Sequence, residues 1–185
     1  MNPRLYSFVG GNTGPWRVAR MDAIMGEPLP VARFLDIIPA LVPSEGTAWV
    51  LRGITSNERY VTREEKTELV LKQESLGRPA ARCAALIPIK KNDVWWTMPQ
   101  DERRKIFEEQ STHIRIGMSF LPAIARRLHH CRDLGSNEPF DFLTWFEYAP
   151  ADAAAFDALV AQLRASPEWA YVTRETDIRL ELVSA

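Results

Sequence analysis

The chain has 185 residues, 46% of them hydrophobic and 25% charged, with a formal net charge of -1. That suits one globular domain or two small fused halves. The missing basic excess argues against a nucleic-acid partner, and no apolar run approaches the ~20 residues that cross a bilayer.

The opening stretch MNPRLYSFVGGNTGPW has no basic start followed by a long apolar core, which predicts a cytoplasmic location. Cys83 and Cys131 stand far apart, and neither CxxC nor CxxCH occurs, so structural zinc and covalently attached haem are not expected. His113, His129 and His130 are the three histidines, and any metal chemistry rests on few of them.

In chain order, residues 4–9 alternate as a strand that ends at Gly10-Gly11. Phe34, Leu35, Ile37, Ile38 and Leu41 give residues 31–41 a short helical pattern, with Pro39 near its end. Residues 47–54 predict another strand. Thr62 and Glu65 have capping-box spacing, which would open a helix. Yet Leu69 and Leu71 alternate with polar neighbours, and this favours a strand over 67–73. A short strand over 86–89 ends at Lys90-Lys91, expected to be a solvated pair, and leads to Trp95-Trp96.

Thr97 with Gln100, Pro99 early, and Asp101 and Glu102 at the positive end predict one helix from about 99 to 118. Residues 124–132 and 140–148 predict a hairpin across the turn-rich 133–139. Pro150 and Asp152 open a helix with Phe156, Leu159, Val160 and Leu163 on one stripe, and Ser166-Pro167 stops it. Residues 169–183 form the last strand. Mixed elements with hairpin connections predict an α+β chain with helices on one side of an antiparallel sheet.

His113 falls on the predicted long helix, in line with Ile106 and one turn before Gly117. An inward imidazole is either a hydrogen-bonded core residue or a ligand, and Gly117 removes bulk where a flat cofactor could approach. Thirteen residues later Arg126 lies on a predicted strand. Alternation there puts Arg126, Leu128 and His130 on one face and Arg127 and His129 on the other. Arg126 either snorkels to solvent or presents a permanent cation to an anion in a cleft. Trp95-Trp96 reads as one packed and one half-exposed ring, or as an aromatic pocket wall. Cys83 and Cys131 read as small core residues.

The series Ile87-Pro88-Ile89-Lys90-Lys91-Asn92, Trp95-Trp96, Met98, then His113, Arg126 and the strand from Asp141 to Glu147 resembles the chlorite dismutase family. The resemblance reaches back through Arg59-Tyr60 and Gln73 and forward through Glu168-Trp169, and the short length resembles the short, homodimeric branch. It implies a single domain over 1–185, made of two fused ferredoxin-like halves, about 1–94 and 95–185, with sheets forming a barrel and helices outside. It also implies non-covalent haem b (iron protoporphyrin IX) in the second half. His113 would be the iron ligand, and Glu168 would accept a hydrogen bond from its other nitrogen. Arg126 would act on the distal side, steadied by Gln73. Tyr60, Trp95, Trp96 and the backbone at Val61 would line the haem and its propionates. The implied reaction turns chlorite into chloride and dioxygen, through Cl–O cleavage to a ferryl haem plus hypochlorite and then O–O bond formation. Chlorite and other small anions would be the partners. A coprohaem decarboxylase, a peroxidase, a non-catalytic haem carrier or sensor, and a ferredoxin-like protein with no cofactor and His113 merely buried are the alternatives.

Overall fold

The computed structural model describes residues 4–56, 61–135 and 137–183. Among these, eight strands carry the fold: β1 (Leu5–Gly11), β2 (Trp16–Met25), β3 (Phe34–Ile38), β4 (Trp49–Thr55), β5 (Cys83–Lys91), β6 (Ala125–His130), β7 (Phe142–Tyr148) and β8 (Val172–Leu182). Every pairing is antiparallel, and the sheet closes in the order β1-β3-β2-β8-β5-β7-β6-β4. Closure leaves no free strand edge. Taken as β1–β4 and β5–β8, each set of four runs fourth, first, third, second across its part of the sheet, the order of a ferredoxin-like unit. The α+β architecture expected from the sequence is the one observed. The second set begins at Cys83, ahead of the division after residue 94 suggested above.

Alternation divides the barrel wall into two apolar layers. Phe8, Leu35, Leu51, Leu86, Leu143, Trp145 and Ile178 fill the barrel interior. Ala85, Ile87 and Phe146 face outward and meet Phe156, Leu159, Val160 and Leu163 of helix α5 (Ala153–Arg164). β5 is a central strand buried on both faces, so it reads as a continuous apolar run. Its ladder to β8 lapses between the pairs Leu86–Ile178 and Ile89–Glu175, where Pro88 has no N–H to give.

Three local expectations need correction, and one strand had no expectation at all. Residues 34–38 form β3, not a helix, because β1 and β2 flank them and supply a ladder that a helix this short could not match. β2 was not legible: bulges between Val18 and Arg20 and between Ala23 and Met25 break its alternation. Residues 67–73 belong largely to helix α1 (Arg63–Lys72), not a strand. The capping box is real there. Thr62 N donates to Glu65 Oε2 at 2.6 Å, and Glu65 N donates to Thr62 Oγ1 at 3.2 Å.

The long helix expected over 99–118 is instead a broken series. Asn92 caps helix α2 (Asp93–Thr97), its Oδ1 accepting from Trp95 N at 3.0 Å. Pro99 drives Met98 into extended geometry (φ -68°, ψ 144°) and ends that helix. Thr97 Oγ1 donates to the Val94 carbonyl at 3.0 Å, so the second expected capping box does not form. Helix α3 (Gln100–Arg104) then widens into a π-helical stretch (Lys105–Gln110). Thr112 turns left-handed at φ 50°, ψ 34°, and helix α4 (His113–Ser119) starts anew.

Candidate functional site

A cavity of about 490 Å³ lies between the outer face of β5, β7 and β6 and the layer formed by α1, α4 and α5. Cross-strand register sets three rows on that face, all but Ala85 and His130 lining the cavity. Arg126 sits opposite Phe146, which is opposite Ala85; Leu128, Thr144 and Ile87 form the next row; His130, Phe142 and Ile89 the last. The far wall carries Leu69, Gln73, His113, Gly117, Val160 and Leu163. The size lies within the roughly 300–1,000 Å³ usual for small-molecule sites, and most of the lining is apolar.

At one end stands a chain of three polar side chains, Lys91 and Glu168 buried and His113 partly so. His113 Nδ1 and Glu168 Oε2 are 2.7 Å apart, and Lys91 Nζ forms an ion pair with the other oxygen, Glu168 Oε1. Ser111 Oγ accepts from Glu168 N at 2.9 Å and fixes the short turn that carries the carboxylate. The His113 ring stacks on Phe107 with centroids 4.2 Å apart. With Nδ1 committed to a carboxylate, Nε2 is the ring nitrogen left able to coordinate. Burial by itself would raise the Glu168 carboxyl, but Lys91 and His113 overcome this and hold it at about 2. Burial pulls the Lys91 ammonium below its ordinary value, against the attraction of Glu168. The ammonium also rests 3.3 Å from the centre of the Trp95 ring, a cation–π contact.

At the other end Arg126 reaches from β6 toward α4. A Cβ on Gly117 would stand 3.0 Å from Arg126 Nη1 and 3.3 Å from Cζ, so glycine lets the guanidinium lie this close to α4. Desolvation pulls the Arg126 pKa down, and among the described residues no carboxylate pairs with it. A guanidinium stays charged even so, and a desolvated cation without a carboxylate beside it favours an anionic ligand. Gln73 Nε2 donates to the Arg126 backbone carbonyl at 2.9 Å, fixing the strand at that residue. Arg127 and His129 face the barrel interior, where Arg127 lies 3.9 Å from the Tyr6 ring centre.

A family model described as chlorite dismutase matches residues 40–180. The chain belongs to the chlorite dismutase family. A curated chlorite dismutase from Ideonella dechloratans is 33% identical over 126 residues, a match covering 67% of this chain and 41% of that protein's length. The dimeric chlorite dismutase structure from Nitrobacter winogradskyi is 52% identical, with a TM-score of 0.88, over 96% of this chain and 99% of its own. A mutant chlorite dismutase from Candidatus Nitrospira defluvii in complex with cyanide shares the fold at 18% identity, with a TM-score of 0.68 over 100% of this chain and 92% of its own.

Within this family member, the residues singled out from the sequence fall into three places. His113, Glu168, Trp95, Gln73 and Arg126 all line the cavity. Trp96 stands one layer back: it stacks on Phe142 and donates from Nε1 to Asp141 Oδ2 at 3.0 Å, and it is not among the lining residues. Trp96 thus supports Phe142, a residue of the cavity wall. Tyr60 lies outside the described residues.

Lys91 is the residue the sequence reading missed. It was expected to be solvated like Lys90, yet it is 5% exposed and its ammonium pairs with Glu168. Its signal was available: on a strand, Lys91 shares a face with Ile87 and Ile89, the apolar side. Asp141 Oδ2 accepts from Lys91 N at 2.7 Å, where the register to β8 shifts between Lys90 and Lys91.

Proposed function

We propose that the chain binds haem b non-covalently in this cavity and decomposes chlorite to chloride and dioxygen. One observation carries the reading: a single apolar cavity holds an imidazole committed to a carboxylate at Nδ1 and, apart from it, a guanidinium that no carboxylate among the described residues pairs with. Among the described residues no three His, Cys, Asp or Glu side chains cluster to hold a bare metal ion. A lone imidazole suits an iron whose other ligands come from a macrocycle, and the apolar walls suit a flat hydrophobic group.

When bound, haem supplies the iron and the redox chemistry that chlorite conversion needs. His113 would hold the iron through Nε2, and Glu168 would keep the proton on Nδ1 and make the imidazole a stronger donor. Lys91 keeps Glu168 ionised for that role. Trp95 would wall the group, with Tyr60 and the Val61 backbone toward its propionates. Arg126 would hold the chlorite anion and the anionic chlorine species derived from it, slowing their escape from a poorly hydrated pocket. Gln73 holds the strand from which that arginine extends. Because the guanidinium reaches to Gly117, admitting a macrocycle between α4 and the sheet requires that side chain to draw back toward β6. The dimeric relative at 52% identity supports a homodimer for this chain.

The test is spectroscopic and then amperometric. The full chain reconstituted with haem b is expected to show a Soret band that His113→Ala loses, and to release dioxygen rapidly when chlorite is added to an oxygen electrode. A Soret band without oxygen release would make it a haem carrier or a different haem enzyme, and no Soret band would end the reading. Arg126→Ala is expected to keep the Soret band, give far less total oxygen and bleach faster. Unchanged yield and bleaching would remove Arg126 from the assigned role.

A further inference from the structure

The junction ahead of His113 is unusual in three ways at once. The backbone widens into a π-helical stretch, with Ser111 N bonded to the Ile106 carbonyl at 3.1 Å. Thr112 then takes a left-handed conformation (φ 50°, ψ 34°), which a β-branched residue rarely adopts. Finally, α4 begins at His113 itself, and Thr112 offers it no side-chain cap. Local π-helical turns and left-handed residues recur where a side chain must be aimed, and they persist only when the surroundings hold them.

What holds this junction is Glu108. Its backbone carbonyl accepts from Thr112 N at 2.9 Å, and its side-chain Oε2 accepts from Ile114 N at 2.6 Å. One residue thus grips both sides of the left-handed turn. The carboxylate replaces the missing cap at the start of α4, where amide N–H groups lack intrahelical partners and the helix dipole favours negative charge. Three residues on, Ser111 Oγ accepts from Glu168 N at 2.9 Å. The same short segment therefore fixes the helix that carries the imidazole and the turn that carries the carboxylate facing it.

We propose that Glu108 is a positioning residue: through the Ile114 N–H it locks the left-handed turn at Thr112 and so sets the His113 ring against Glu168. As a route to iron binding this rests on the haem reading above, but the locking of the ring is a property of the chain itself. Ring and carboxylate belong to different elements, so a small rotation of α4 would lengthen the His113–Glu168 hydrogen bond before it disturbed the barrel.

Three variants of the full chain test it. Glu108→Ala removes the acceptor, Glu108→Asp shortens it by one methylene, and Glu108→Gln keeps a neutral acceptor at full length. In the chain without haem, proton NMR of the His113 Nδ1–H should show exchange with water accelerated about tenfold in Glu108→Ala and Glu108→Asp, and largely restored in Glu108→Gln. In the haem-loaded chain, transfer of haem to an apo-globin scavenger should speed up about tenfold in the same order, the scale on which partners of a ligand act. Exchange within about twofold of wild type in Glu108→Asp, with or without a lowered melting temperature, would overturn the proposal and leave Glu108 an ordinary helix cap. Should Glu108→Ala not fold, Glu108→Asp and Glu108→Gln decide by the same measurements. A wild-type chain that takes up no haem would sink the functional reading alone, and the exchange data would still decide this one.

Discussion

Lys91 shows how one side chain's setting can differ from what its residue type suggests. Its ammonium is buried with Glu168 and covered by Trp95. Removing one partner of a buried ion pair leaves the other charge desolvated and uncompensated. Lys91→Ala is therefore expected to destabilise the unloaded chain by about 3–5 kcal/mol in urea titrations at pH 7. The Glu168 pKa should rise in that variant, since Lys91 is the foremost group lowering it. The sign of the wild-type pH dependence follows from the depressed value. The pair's contribution is intact above 4.5 and fades as pH falls from there toward about 2. A Lys91→Ala chain as stable as wild type, with the same acid limb, would contradict the assigned environment.

At the scale of elements, α1 is where competing local signals were decided by packing. A strand would put Leu69 and Leu71 on one face, whereas a helix separates them by about 200°. In the fold Leu69 is 9% exposed and lines the cavity, while Leu71 is 81% exposed. Leu69→Ala should accordingly cost about 2 kcal/mol or more, and Leu71→Ala should stay within about 0.5 kcal/mol. Equal losses from chemical denaturation would argue for the strand. The connection after α1 is equally specific. Gly77 N donates to Glu147 Oε2 at 2.5 Å, and Arg78 Nη2 donates to the Ala123 carbonyl at 2.9 Å. These bonds tie the segment after Gln73 to β7 and to the residues just ahead of β6, so Gln73 and Arg126 are held by a common frame.

For the whole molecule, the barrel interior sets the acid sensitivity. His129 is fully buried between Tyr6 and Phe8. Desolvation, and then the nearby Arg127, drive its pKa from 6.5 to about 3, against a hydrogen bond with the Leu143 carbonyl. The unfolded chain therefore binds a proton that the folded chain refuses. Stability is full above 6.5 and falls as pH drops from there toward about 3. Between pH 7 and pH 5 the expected loss is about 2 kcal/mol, before Glu168 begins to contribute. His129→Gln should flatten that part of the profile when urea midpoints are compared at the two pH values. An unchanged slope would place the sensitivity elsewhere.

The sequence by itself determined the strands that alternate without interruption, the stripe of α5, and the opposed faces of Arg126 and Arg127, because period and propensity act on neighbouring residues. It also carried the family resemblance through residues spaced along nearly the whole chain. It did not determine β2, whose bulges erase the alternation, or β3, whose five residues take their form from the strands on either side. Nor did it show that the expected helix breaks at Met98 and again at Thr112. The tertiary structure alone decided that Lys91, Glu168 and His113 meet, since they come from a strand, a short turn and a helix far apart in sequence. The physical reason is that burial and pairing of charge depend on which elements pack together, and closing eight strands into one barrel is what brings those three side chains to a single wall.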